Sequence, residues 1–412
     1  MIGIGLHIGN RVMGSGGGAA FDVDAQAFFD RVTTAGGTLT TTEKNATNQL
    51  VLDMKSAGIW SAMKAVYPMV GASVNLLSYS NTFSNSAWTK SGGTILSTNN
   101  LDPNGNYTAS RIDLPTASVS QIYNLISTAA STYTSSMWIR LVSGSGAFQF
   151  GFYDGTSFLT NAITVTSTWQ RFSVAKTNSS SSSTRGCWLY SNDPNQVIEV
   201  YGGQVELGST ATTYAPVSGS RTAEASAACA QNLKSSSFTG TFSSGWTFSS
   251  SGAKGNGTSA KMETALNPNT QLNINSTHIS YYSNDAFSVE NVFMSNNTLD
   301  LFIQQNGGVF YGSLATPSYG STGNALKLAF MMYNRPNSTH QKAIKNNTIL
   351  QDNTQLAVSF SSTDVKLNNY IGTYTDSRCA FASLGDGLTD TQASNFYTAV
   401  QAFQTTLARQ VV

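Results

Sequence analysis

The sequence predicts a mainly β protein: two antiparallel β-sandwich (jelly-roll) domains, a small N-terminal helical segment and a C-terminal helix. Three observations carry this. Only 10% of the 412 residues are charged, far below the roughly 25% of an ordinary globular chain, and Ser, Thr, Asn and Gly take the missing share. Such polarity would suit a disordered chain, yet 11% of residues are aromatic. They recur inside short β-type runs bounded by Ser/Asn/Gly turns, as in sandwiches and barrels. The closing segment, Cys379 to Arg409, reads as a buried strand, a tight turn and one amphipathic helix. Thr389-x-x-Gln392 caps that helix, and Phe396, Val400, Phe403 and Leu407 form its single apolar stripe.

From the N-terminus, residues 1–20 hold Ile2, Ile4, Leu6 and Ile8 spaced by two, as in a short strand, and Gly14-Ser-Gly-Gly-Gly18 is a flexible hinge. Such a strand is unstable alone. It reads equally as a disordered terminus and as an attachment arm that pairs with another chain's sheet edge. Residues 22–72 are helical. Asp22 or Asp24 caps a helix holding Phe28, Phe29 and Val32. Thr40-x-x-Glu43 opens a second with Leu50, Val51, Met54 and Ala57, and a third short helix carries Ile59, Trp60, Met63 and Val66. Each is apolar on one face, so the segment must pack on something else.

Residues 75–216 have no helical period. Met137-Trp-Ile-Arg-Leu141 and Phe148-Gln-Phe-Gly-Phe152 alternate as half-buried strands, and Asp102-Pro-Asn-Gly-Asn106 is a turn by composition. Residues 224–412 are again β-rich, with strands expected at His278–Tyr282, Leu299–Ile303, Leu326–Tyr333 and Leu367–Ile371 before the closing helix.

Several function classes are disfavoured. The net charge is +1 with no basic run, which argues against nucleic-acid binding. No apolar run approaches the length of a membrane span, so membrane insertion is not expected. The N-terminus lacks a basic start, a continuous apolar centre and a small-residue cleavage site, so it is a poor signal peptide. Cys187, Cys229 and Cys379 are odd in number and far apart, which favours buried free thiols over a disulfide framework.

No catalytic residue is expected. Of the three histidines, His278 and His340 stand singly and His7 lies in the arm. There is no Gly-x-Ser-x-Gly elbow, and the scattered acids, Glu199 and Glu206 among them, form no evident pair of the kind glycoside hydrolysis needs. No metal-ligand spacing occurs. Asp102–Asn106 spaces its oxygens as calcium loops do but lacks the downstream Glu. Aromatic rings can stack on the apolar face of a sugar. Trp88, Tyr107, Tyr123 and Tyr153 are the candidate ligand-binding residues, although the strand-like Ala-Trp-Thr context of Trp88 also suits core packing. Trp138, Trp169, Trp188 and Trp246 read as core.

Two sets of motifs add a resemblance. The opening Asn75-Leu-Leu77 with Ala87-Trp-Thr-Lys90, and the closing Gly203-Gln-Val-Glu-Leu-Gly208 with Thr213-Tyr-Ala-Pro216, resemble carbohydrate-binding-module-like jelly rolls of bacteriophage tail proteins. Ala65-Val-Tyr-Pro-Met-Val-Gly71, Asn232-Leu-Lys234 and the closing segment resemble a family of bacteriophage virion proteins with a concanavalin/laminin-G-like sandwich. In that family the first two elements are almost contiguous. The resemblance therefore implies a jelly roll (75–216) inserted into a discontinuous domain of 22–72 and 224–412.

It further implies a virion surface protein, a fibre or a tail or head appendage, synthesised in the host bacterial cytoplasm. Such a protein would contact other virion proteins through the arm, form a homotrimer, and adhere without covalent chemistry to host-surface or environmental glycans. No cofactor is implied; a structural calcium, common in binding-module jelly rolls, is left open. The alternatives are a purely architectural capsid or tail component and a glycan-depolymerising enzyme.

Overall fold

A computed structural model describes residues 20–411, apart from 116–119, 129, 155, 179–181, 287, 289–291, 299, 307–308, 317–319 and 323–327. The proposed arm residues Ile2, Ile4, Leu6 and Ile8 lie outside the described residues. The chain is mainly β, with antiparallel sheets forming sandwiches and a C-terminal helix, as the sequence predicts.

The first sandwich is built from two five-stranded sheets. Sheet I runs, in spatial order, Trp88–Ser91, Ser120–Thr128, Ser182–Ser191, Ala147–Tyr153 and Phe158–Thr164. Sheet II runs Thr94–Leu101, Tyr107–Leu114, Gln196–Leu207, Ser131–Ser143 and Gln170–Asn178. Ile122, Phe150 and Leu189 from sheet I meet Ile112, Met137, Ile139 and Val200 from sheet II in one apolar cluster. Ser120–Thr128 alternates strictly because only one of its faces is buried.

The second body has three layers. Sheet III holds Thr247–Ser249, Gly252–Lys254, Arg378–Gly385, Thr277–Ser283, Ala329–Asn337, His340–Lys345 and Thr348–Thr354, with Met63–Tyr67 added beside the second half of Arg378–Gly385. On one face, Ile279, Tyr281, Met331 and Tyr333 pack against Phe293, Ile303 and Phe310 of a seven-stranded sheet IV. On the other, Tyr282, Phe330, Met332 and Phe381 pack against the helices α1 (Val23–Thr34), α2 (Thr41–Ser56) and the long C-terminal helix Asp390–Thr406. Sheet III is covered on both sides, so Thr277–Ser283 is buried at every position. Such strands read as continuous apolar runs rather than alternating ones.

That double burial explains one correction. The expected third short helix is a single 3-10 turn, Trp60–Ala62, followed by the strand Met63–Tyr67. Ala65 and Tyr67 face one core and Met63 and Val66 the other, so no period distinguishes strand from helix in so short a run. A helix at Arg221–Cys229 was not expected. Its Ala/Ser-rich sequence carries almost no apolar stripe. Leu407 caps the last helix and is only partly buried, whereas Phe396, Val400 and Phe403 are fully buried.

Two asparagines tie distant segments together. Asn232 Oδ1 accepts from Val66 N at 2.8 Å, Leu233 N donates to Val66 O at 2.7 Å, and the Asn232 amide donates to Lys64 O and Ser237 O. Asn75, fully buried, donates to Gly203 O and Ala215 O and accepts from Val205 N. The two ends of the first sandwich are thus pinned side by side, and Arg221 bonds to Asn75 O, Ser73 O and Phe248 O across the junction.

All three cysteines are free and buried. Burial pushes the Cys187 thiol up to about 11 and the Cys229 thiol up to about 12, which suppresses the reactive thiolate.

His278 is fully buried between strands. Its Nδ1–H donates to Asp386 O at 2.6 Å, which leaves Nε2 to accept from Ser383 Oγ at 3.2 Å. Burial lowers its pKa from 6.5 to about 4. Above pH 6.5 the ring is neutral in both folded and unfolded chains. Between 6.5 and 4 only the unfolded chain takes up the proton, so stability falls as pH falls through this window. The full loss is about 3 kcal/mol. Denaturant unfolding should show the wild type losing about 2 kcal/mol more than His278→Asn between pH 7 and pH 5. Equal losses would show that the imidazole does not titrate in this way.

Candidate functional site

The outward face of sheet I gathers the unusual side chains. In Ser120–Thr128 the buried positions are Ile122, Asn124, Ile126 and Thr128, so Gln121, Tyr123 and Leu125 face out. Residues directly opposite in an antiparallel pair share a face, and the register gives three outward rungs. One is Leu125, Arg185, Tyr153 and Phe158; the next contains Trp188, Gly151 and Thr160; the third is Ser91, Gln121, Tyr190, Gln149 and Ala162. Arg185 and Trp188 both face out although they are three residues apart, because the register shifts between them. Such a bulge inserts an extra residue and re-aims the side chains beyond it. Cys187, at φ 46°, turns inward there, and its N–H donates to Ser135 Oγ at 2.9 Å.

Trp188 is buried, as expected of a core residue, but on the outward face, where it is the hub. Its ring centroid lies 4.6 Å from Tyr190, nearly parallel, and 5.3 Å from both Phe158 and Tyr153. Its indole N–H donates to Gln121 Oε1 at 2.8 Å. These neighbours cover it almost completely and themselves stay accessible: Phe158 is 65% exposed, and Tyr123, Tyr153 and Tyr190 are half-buried. The Arg185 guanidinium stands 4.5 Å from the Tyr123 ring centre and 4.8 Å from that of Tyr153. Beside Tyr190 the face runs into a groove of about 310 Å³, lined by Gln149, Ala162, Thr164, Asn192 and Asp193. An apolar ring platform beside a polar groove can stack a sugar ring and read its hydroxyls.

Of the four sequence candidates, the structure brings two together: Tyr123 and Tyr153, bridged by Arg185. Tyr107 lies elsewhere, 73% exposed, in a pocket of about 500 Å³ with Tyr201 and Tyr214. Trp88 joins neither. It is 1% exposed, packs on Phe83, and its indole N–H donates to Tyr79 O at 2.8 Å, so no ring face is left for a ligand. Arg185, Tyr190, Phe158, Gln121 and Gln149 were missed. Gly186 beside Cys187 was the one available signal, since an isolated Gly in a strand often marks a bulge. Trp246 is core as expected, but Trp138 and Trp169 are half-buried on the outward face of sheet II, stacked by Arg171 and Arg140.

The other polar candidates are engaged internally. Asp102 Oδ1 accepts from Asn104 N and Asn106 N, and Oδ2 from Thr108 Oγ1. Burial pushes its carboxyl up, but these donors outweigh it and hold it below the usual range. The loop is a self-capped turn whose carboxylate already has partners. Glu206 accepts from Thr212 N and Oγ1 and from Gln204 Nε2. Glu199, fully buried, is clamped by Arg111 at 2.7 Å and Arg140 at 2.5 Å. Among the described residues, no three His, Cys, Asp or Glu side chains converge.

No family model and no curated protein matches the chain. Solved structures do match in part. The carbohydrate-binding module TmCBM61 in complex with β-1,4-galactotriose aligns at 10% identity over 32% of this chain and 99% of that one, with a TM-score of 0.27. The CBM22-1 xylan-binding domain of Xyn10C from Paenibacillus barcinonensis aligns at 18% identity over 31% and 89%, TM-score 0.23. The enzymatically active domain of tailspike protein 4 of bacteriophage CBA120 aligns at 14% identity over 34% of this chain and 22% of that one, TM-score 0.27. Scores this low carry no inference about function.

Proposed function

We propose that this chain is a non-catalytic glycan-binding protein displayed on a bacteriophage virion, as a fibre or a tail or head appendage. The observation that carries the binding role is the outward face of sheet I, where Phe158, Tyr190 and Tyr153 surround Trp188, and Tyr123 flanks Arg185, beside a polar groove. The rings take the apolar face of a pyranose, and Gln149, Asn192 and Asp193 take its hydroxyls. The non-catalytic reading is supported by the acids of that groove: among the described residues, Asp193 is the one carboxylate lining it, whereas glycoside cleavage uses a facing pair.

The virion setting rests on the sequence resemblance alone. In the same reading, residues 1–20 attach the protein to the particle, a homotrimer forms, and the jelly roll of 75–216 is an insertion into a domain made of 22–72 and 224–412. The insertion is supported by Met63–Tyr67 pairing with Arg378–Gly385 and by the Asn75 and Asn232 clasps.

The test is binding of the full chain to an array of bacterial-surface and plant oligosaccharides. Phe158→Ala and Tyr190→Ala should each weaken binding by about tenfold, roughly 1.4 kcal/mol; thermal stability should stay nearly unchanged in Phe158→Ala, whose ring is 65% exposed, and fall modestly in Tyr190→Ala, whose half-buried ring stacks on Trp188. Undiminished binding by both variants would remove this face as the site. Failure of the wild type to bind any glycan would favour the architectural reading.

A further inference from the structure

The chemistry of the glycan follows from one side chain, and the inference rests on the proposed sheet I site. Among the described residues, Arg185 is the one charged side chain on the three outward rungs of sheet I. No described carboxylate pairs with it, and Gln121 Oε1, at 3.1 Å from Nη1, is its hydrogen-bond acceptor. Several other arginines are engaged by carboxylates or by two protein oxygens. On sheet II, Arg111 and Arg140 both clamp Glu199, and Arg171 donates to Thr212 O and Ser136 Oγ. In the second body, Arg378 pairs with Asp285.

Arg185 is instead held by rings. Tyr123 and Tyr153 flank its guanidinium at 4.5 and 4.8 Å, and Trp188 stands at 5.7 Å. Flanking rings fix the plane of the group without neutralising its charge. Of its five N–H donors, one goes to Gln121, and the others remain for a bidentate anion. Two rings of the platform, Tyr153 and Phe158, lie on the same rung as Arg185.

We infer that the sheet I face selects an anionic glycan, placing a sugar carboxylate or sulfate on Arg185 while the ring of that sugar or its neighbour stacks on the aromatic platform. A neutral chain would leave a fixed cation on the platform without a counter-charge, which gives the discrimination its sign.

The experiment is calorimetric titration of the full chain with three probes of matched length: oligogalacturonate, a sulfated galactan oligosaccharide and a neutral galactan oligosaccharide. The wild type should bind at least one anionic probe tenfold or more tightly than the neutral one. Raising the salt from low to high concentration should shrink that ratio. Arg185→Gln should bring the ratio close to one, and Arg185→Lys should retain part of it. The two anionic arms identify which anion is taken. Equal wild-type affinity for neutral and anionic probes, or an unchanged ratio in Arg185→Gln, overturns the inference while leaving the binding site in place. Absence of binding to all three probes, together with a blank oligosaccharide array, removes the site and the inference together.

Discussion

Arg409→Ala should destabilise the protein by about 3–5 kcal/mol, because the loss leaves several buried carbonyls without donors at once. Arg409 is 6% exposed. Its guanidinium donates to Pro68 O at 2.7 Å, Met69 O at 2.9 Å and Ala380 O at 3.0 Å, and Nε donates to Gln404 Oε1 at 2.6 Å. Those carbonyls come from the segment after Met63–Tyr67 and from the strand Arg378–Gly385 of sheet III, so one side chain joins the end of the chain to both. Burial brings its pKa down to about 10, which keeps it charged at neutral pH. Arg409→Lys should recover only part of the stability, since an ammonium cannot fork to three carbonyls in a plane. Denaturant unfolding decides it: a loss below about 1 kcal/mol for Arg409→Ala would show that water replaces the guanidinium.

Phe403→Ala should cost about 3–5 kcal/mol through the cavity it leaves. The side chain is 2% exposed in the cluster shared by the three helices and sheet III. It lies 6.3 Å from the Phe381 ring and 5.2 Å from the Arg409 guanidinium. Its neighbours are held in place by the strand on one side and by α2 on the other, so collapse into the void is limited. The same unfolding measurement checks it, and a cost under about 1 kcal/mol would mean that the C-terminal helix is peripheral to the second body. Arg409 and Phe403 touch, so the double variant should lose less than the sum of the two single losses.

The features legible in the sequence are local. Thr40 and Glu43 close a capping box around the start of α2, and Thr389 and Gln392 do the same for the last helix. Both need only residues three apart. Single-faced burial made Met137–Leu141 and Phe148–Phe152 readable by alternation. The features that were not legible depend on neighbours distant in the chain. Met63–Tyr67 is a strand because Ala382–Gly385 offers it an edge and helices cover its other side. Arg185 and Trp188 share a face only through the bulge at Gly186–Cys187, which shifts the period a reader would trace. Trp88 shows the converse: an aromatic in a plausible binding context that the Tyr79 carbonyl and the Phe83 ring claim for the core.

The central claim, that the outward face of sheet I is a glycan site, is tested most directly by a structure of the full chain bound to the tightest oligosaccharide from the array. The account predicts a sugar ring against Tyr190 or Phe158, a hydroxyl on Gln149 or Asp193, and any acidic group within hydrogen-bonding distance of Arg185. A sugar seated in the Tyr107–Tyr201–Tyr214 pocket instead, with the sheet I face empty, would contradict it.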